Sequence, residues 1–210
     1  DVESEDDPIH IKEAVDDYVG NNVNATTRYG PIELWCVDNI QDFSGLFYGK
    51  SDFDADLSKW NVSSATNMRE MFRSAASYTN KGQSLKDWDV TSVSSMTGMF
   101  WGAKKFPGTG LGNWSVSNVE SANTMFRNAQ SFNVDLGGWQ LTKTKKVKYM
   151  FKKAKKFNQN LCGWSGSLAH LKDSAQSAMT DMFDQSGCAM ENTPEWDGQS
   201  QKYTTLCHVC

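Results

Sequence analysis

Three histidines, five cysteines and a run of eight lysines are the side chains of this 210-residue chain whose types and spacing first suggest chemistry. His10, His170 and His208 lie far apart, and none has a carboxylate and a serine or cysteine at a spacing that builds a nucleophilic triad. Cys207-His-Val-Cys210, together with Cys188, has one CxxC pair of the kind zinc takes. A closed site needs a second pair of ligands, and the sequence has no other CxxC and no HxxxH. Asp52, Asp54 and Asp56 alternate as in a calcium loop, but the glycine and terminal glutamate of that loop are missing. Gly108-Thr-Gly-Leu-Gly112 is glycine-rich like a phosphate loop. It follows an expected helix and precedes an expected strand, the reverse of the order a phosphate cradle needs. The chain therefore reads as non-enzymatic, with no catalytic residue, metal or cofactor assigned.

The lysines are different. Lys143, Lys145, Lys146, Lys148, Lys152, Lys153, Lys155 and Lys156 fall in a stretch, 142–157, that holds no acid. The net charge of the whole chain is −4, so everything outside this stretch sums to −12. Such bipolarity makes the stretch a candidate docking patch for an acidic protein or an anionic glycan. Nucleic acid is not expected, since the overall balance is acidic and Tyr149 is the one stacking group within the patch.

These side chains must be positioned by something, and the sequence points to a repeat. Tryptophan recurs at Trp35, Trp60, Trp88, Trp114, Trp139 and Trp164, with gaps of 25, 28, 26, 25 and 25 residues. An aliphatic residue precedes each by three (Ile32, Leu57, Leu85, Leu111, Leu136, Leu161), and another follows by two in the first five units (Val37, Val62, Val90, Val116, Leu141). This LxxWxV pattern predicts a short strand with one buried face. The next position holds Asp38, Ser63, Thr91, Ser117 or Thr142, all residues suited to capping a helix. Apolar residues then recur at helical spacing, as in Ala65, Met68, Met71, Phe72 and Ala75, or Val93, Met96, Met99, Phe100 and Ala103. One further aromatic (Phe53, Tyr78, Phe106, Phe132, Phe157) closes each unit.

The expected fold is thus an α/β solenoid: a leucine-rich-repeat-like stack of about six 25-residue strand–helix units, with a parallel sheet and the tryptophans in its core. Its organisation reads as an acidic tail at 1–7, a capping helix and lead-in at 8–31, the repeats at 32–187 and a cysteine-containing cap at 188–210. The lysines would fan out from the fifth helix.

Cys162, Cys188, Cys207 and Cys210 crowd the C-terminal end, where a bridge from Cys162 to Cys188 would tie the last unit to its cap. Four cysteines permit three connectivities, and the sequence does not choose among them. Cys36 is left over and should point outward. Asn24, Asn61 and Asn113 begin N-glycosylation sequons. Together with a start at Asp1 rather than Met, which fits a removed secretory signal or any other trimming, they favour an oxidising compartment. The expectation is a secreted or cell-surface protein, or one in an organelle lumen reached by a cleaved targeting peptide. No apolar run approaches the roughly 18–20 residues that span a bilayer.

The unit WDVTSVSSMTGMFWGAKKF, from Trp88 to Phe106, resembles the repeat of the BspA-like leucine-rich-repeat surface proteins, a family that includes the Mycoplasma lipoprotein-associated repeat. Phe132-Asn-Val-Asp-Leu136 and Phe157-Asn-Gln-Asn-Leu161 match the FNQDL end of that repeat, and Tyr29-Gly-Pro-Ile32 looks like the lead into its first unit. The likeness runs from about Ile9 to Cys210, and the ending resembles versions from marine unicellular algae. It implies a surface-exposed, non-enzymatic repeat protein that binds a protein partner or a surface polymer, with no catalytic residues to carry over. Cys36, Ala65 and the lysine-rich fifth unit depart from the pattern.

Overall fold

A computed structural model describes residues 8–20, 22–188, 194–199 and 202–203. Two helices open the chain, α1 (Pro8–Gly20) and α2 (Asn22–Tyr29). Ile11, Ala14 and Val15 of α1 are buried, and Tyr18 meets Trp35 and Phe53 edge-on at 6.0 and 6.5 Å. Near the other end lie two one-turn helices, α3 (Trp164–Ser167) and α4 (Ala175–Ala178), and a two-residue antiparallel hairpin, β1 (Trp196–Asp197) with β2 (Lys202–Tyr203). Short 3-10 turns occur at Ile32–Leu34, Asn80–Gly82, Leu111–Asn113 and Ala169–Ser174.

Between these ends the strand–helix, leucine-rich-repeat solenoid expected from the sequence does not form. No strand occurs at an LxxWxV segment, and there is no parallel sheet among the described residues. What remains of one is a line of single-residue parallel bridges, Asp42–Asn67–Ser95–Ser121–Lys146. Each supposed strand is closed into a turn instead, the tryptophan N–H donating back to the aliphatic carbonyl three residues earlier, as in Trp60 to Leu57 (3.1 Å) and Trp139 to Leu136 (3.0 Å). The Met-Phe stretches are not helices either. Ser63 and Thr91 therefore cap nothing; their N–H groups bond Asn61 Oδ1 (3.2 Å) and Asp89 Oδ1 (3.0 Å) in local turns.

The physical reason lies in the backbone. Every unit carries two residues in the left-handed region, four apart: Gly45 and Gly49, Glu70 and Ser74, Gly98 and Gly102, Thr124 and Asn128, Tyr149 and Lys153, Asp181 and Gln185, with φ between +46° and +76°. A right-handed helix cannot pass through such residues. The chain becomes a ribbon of overlapping turns. In the second unit Met71 N–H donates to Met68 O, Arg73 to Glu70 and Ala75 to Phe72. The alternate groups bond between units: Met68, Glu70, Phe72 and Ser74 donate N–H to Ser95, Thr97, Met99 and Trp101 of the next unit at 2.7–2.9 Å. The same four-bond ladder recurs at each junction from Phe43–Asn67 to Lys153–Asp184. Half of the ribbon's amides are thus satisfied within a unit and half across the junction, which is how buried backbone avoids orphan groups.

Side chains complete the stack. Phe47, Phe72, Phe100, Phe126, Phe151 and Phe183 form a column of near-parallel rings 5.2–5.8 Å apart. The closing aromatics lie against them, as in Phe100–Phe106 at 4.2 Å. Each indole N–H donates to the unit before: Trp60 to Ile32 O, Trp88 to Leu57 O, Trp114 to Leu85 O, Trp139 to Leu111 O and Trp164 to Leu136 O, all at 2.7–2.9 Å. This is a use that leucine at the same position could not serve. Thr144, where other units have Ile, Ala or Val, is buried and donates its hydroxyl to Val119 O at 2.6 Å. The sixth unit carries an insertion that contains α4, so its left-handed pair comes 17 residues after tryptophan instead of 10.

Candidate interaction surface

The ribbon decides which residues face out. In each of the first five units the column phenylalanine points into the core and the next residue points away from it. Those next residues are Tyr48, Arg73, Trp101, Arg127 and Lys152. Stacking the units sets them in a row, joined by Tyr149 from the fifth ribbon. The Arg73 guanidinium lies 5.2 Å from the Tyr48 ring centre and 3.8 Å from that of Trp101. Arg127 lies 4.8 Å from Trp101 and 5.8 Å from Tyr149, and Lys152 Nζ is 5.2 Å from Tyr149. Aromatic and cation alternate along the edge, each contact favourable by about 0.5–1 kcal/mol at an exposed site. Gly98 makes room for it: a Cβ there would lie 3.3 Å from Glu70 Cγ and 3.7 Å from Trp101.

Charge is unevenly matched along the row. Arg73 bonds Glu70 at 2.9 Å. Lys152 bonds Asp184 at 2.6 Å, with Asp181 at 3.8 Å. That hydrogen bond raises the Lys152 ammonium above its ordinary pKa and holds the Asp184 carboxyl below its own. Arg127 has no carboxylate partner among the described residues. The lysines divide in the same way. Lys145 pairs with Glu120 at 2.6 Å and Lys143 donates to Asn118 at 2.7 Å. Lys146, Lys148, Lys153, Lys155 and Lys156 form no ion pair among the described residues, although Lys153 lies near enough to Asp184 to add to the effect of Lys152 on it. The expected docking lysines therefore sit on the turn ribbon and its flanking turns rather than on a helix face, and three of the eight are already engaged.

The other singled-out residues are placed plainly. His170 bridges carbonyls, Nε2 2.7 Å from Thr144 O and Nδ1 3.0 Å from Ser167 O. Asp54 accepts from Thr79 N (2.8 Å), Thr79 Oγ1 and Lys81 N (3.1 Å), and Asp56 accepts from Ser58 N, so these carboxylates hold loops. Gly108 and Gly110 sit where units approach closely; a Cβ would fall 2.3 Å from Phe132 and 2.4 Å from Lys86 N. Cys36 is exposed with a free thiol, Cys162 is half-buried and Cys188 buried. Asn61 and Asn113 are exposed, and Asn24 lies in α2. Cys207, His208, Cys210 and the acidic run 1–7 lie outside the described residues.

Sequence reasoning did not find the row. Its tryptophan, Trp101, is out of the LxxW register and was absorbed into the unit's spacing. The signal was available: in five units a large planar or cationic residue follows the column phenylalanine directly.

The architecture is that of a linear repeat stack with one continuous edge of planar and cationic side chains. A family model described as "Mycoplasma protein of unknown function, DUF285" matches residues 18–108 and 77–196. The chain belongs to that family. No curated protein and no solved structure matches it.

Proposed function

We propose that this protein is a non-enzymatic binding module that engages another protein or a surface polymer through the ribbon edge of its repeat stack. The observation that carries the reading is the Tyr48–Arg73–Trp101–Arg127–Tyr149–Lys152 row. Trp, Tyr and Arg are the residues that most often dominate binding energy at interfaces. Here they stand on a backbone held by four hydrogen bonds per junction, so little conformational freedom is lost on binding. The resemblance of its repeat to that of BspA-like surface proteins, the sequons at Asn24, Asn61 and Asn113, and the cysteines at 162, 188, 207 and 210, bridged in one of their three connectivities, fit a secreted or cell-surface location or an organelle lumen. No described helix is long and apolar enough to cross a membrane.

A second reading, a permanent structural subunit docked through the fifth unit, is favoured by the five lysines there that form no ion pair among the described residues. The test of both is native pull-down with mass spectrometry, comparing wild type with Trp101→Ala and with Lys146, Lys148, Lys153 and Lys155 changed to Glu. Loss of a reproducible partner with Trp101→Ala supports the row as the binding edge; full retention overturns it. A partner lost only in the lysine variant, and co-eluting with the protein at fixed stoichiometry in size exclusion, supports the subunit reading.

A further inference from the structure

Resting on that reading, we infer that the occupant of the ribbon edge is an acidic, extended polypeptide segment running along the stack axis, its carboxylates held by Arg127 and by Lys148 and Lys153 of the neighbouring unit. The two inner rings of the row, Trp101 and Tyr149, are not free to stack against a sugar. Trp101 has a guanidinium over it from each adjacent unit, at 3.8 and 4.8 Å, and Tyr149 lies between Arg127 and Lys152. What the row offers a ligand is its edges, and the edge of a guanidinium is a fork of N–H donors matched to a carboxylate. Arg127 lies over both Trp101 and Tyr149, and no described carboxylate fills its fork. Arg73 and Lys152, on either side of it in the row, are already neutralised by Glu70 and Asp184. The unmatched positive charge is therefore concentrated at Arg127 and along the fifth ribbon.

The spacing suits a peptide. Successive units repeat every 5.2–5.8 Å. In an extended chain, side chains on one face recur roughly every 6.6–6.8 Å. Long Arg and Lys arms absorb the ~1 Å difference between two adjacent units. An acidic segment with Glu at alternate positions would thus set one carboxylate against Arg127 and the next between Lys148 and Lys153 of the fifth unit.

The probe is a synthetic peptide of about ten residues with Glu at alternate positions, titrated into the full chain by calorimetry, beside a heparin fragment of equal charge and a Gln-substituted peptide. The acidic peptide should bind, the Gln peptide should not, and affinity should fall as salt rises. Arg127→Ala should weaken binding about tenfold or more, and Arg127→Lys, which keeps the charge but loses the fork, should still weaken it several-fold. Lys59→Glu, an equal or greater charge change on the tryptophan edge, should alter it less than about twofold. Circular dichroism and melting of each variant verify that the stack is intact. Absence of acidic-peptide binding at low salt, tighter binding of the heparin fragment, or equal effects of Arg127→Ala and Lys59→Glu would each overturn the inference. Failure here with Trp101→Ala still abolishing capture of the native partner leaves the binding edge standing and rejects only its acidic occupant. Failure of both rejects the edge.

Discussion

Along the tryptophan edge each unit reaches back to its predecessor through a side chain, the indole N–H on a carbonyl. Along the ribbon edge it reaches forward to its successor through four backbone N–H groups. The first device depends on residue identity, because tryptophan there brings a large ring with an N–H donor set in the ring itself. The second depends on conformation, and the residues in the left-handed positions vary from Gly to Glu, Ser, Thr, Asn, Tyr, Lys, Asp and Gln. The difference teaches why one edge is chemically monotonous and the other is free to vary. Its backbone holds the stack whatever the outward side chains are, so they are available for recognition.

Substitutions can separate the two devices. Trp114 is almost fully buried, stacks on Trp88 at 6.1 Å and bonds Leu85 O. Trp114→Ala should cost about 3–5 kcal/mol in urea unfolding. Trp114→Phe keeps a ring and loses the donor. Since Leu85 O still accepts from Trp88 N–H, the cost should be about 1–2 kcal/mol. Equal losses for the two variants would mean that the indole bond adds nothing. On the ribbon edge, Gly102→Ala meets only ordinary contacts, Ser74 at 3.6 Å, so it tests conformation rather than space. Placing a Cβ at φ +76° should cost about 1–2 kcal/mol by the same measurement.

The smallest effect is at the last junction. Lys152 holds the Asp184 carboxyl below the ordinary value of 3.8. A depressed carboxylate contributes stability that is full above its unfolded pKa and is lost as pH falls through the folded one. Both partners are partly exposed, so the contribution should stay below about 1 kcal/mol. Melting of wild type and Asp184→Asn should differ slightly at pH 7 and converge toward pH 3; a gap that widens on acidification would contradict the pairing.

The tryptophan edge was legible in the sequence because its period, its flanking aliphatics and its core role all follow from residue type. Trp35 to Trp164 are buried as the pattern required. The ribbon was misread because Met68, Met71, Phe72 and Ala75 bury at the same spacing whether a helix or overlapping three-residue turns carry them. The contrary sign was Gly45, Gly49, Gly98 and Gly102, paired four apart inside supposed helices, where each would cost about 1 kcal/mol. The lysines were visible as a charge run. Which of them remain unmatched was not, because Glu120 and Asp184 come from neighbouring units.

The ribbon itself is tested most directly at Ser74, which is exposed, makes no side-chain hydrogen bond among the described residues and has φ +61°. In a helix Ser74→Gly would lower stability by about 0.5 kcal/mol. At a left-handed position the same change removes strain that outweighs the added freedom of the unfolded chain. Urea unfolding of Ser74→Gly should therefore show a protein more stable than wild type by about 0.5–1 kcal/mol, and a less stable one would contradict the turn ribbon.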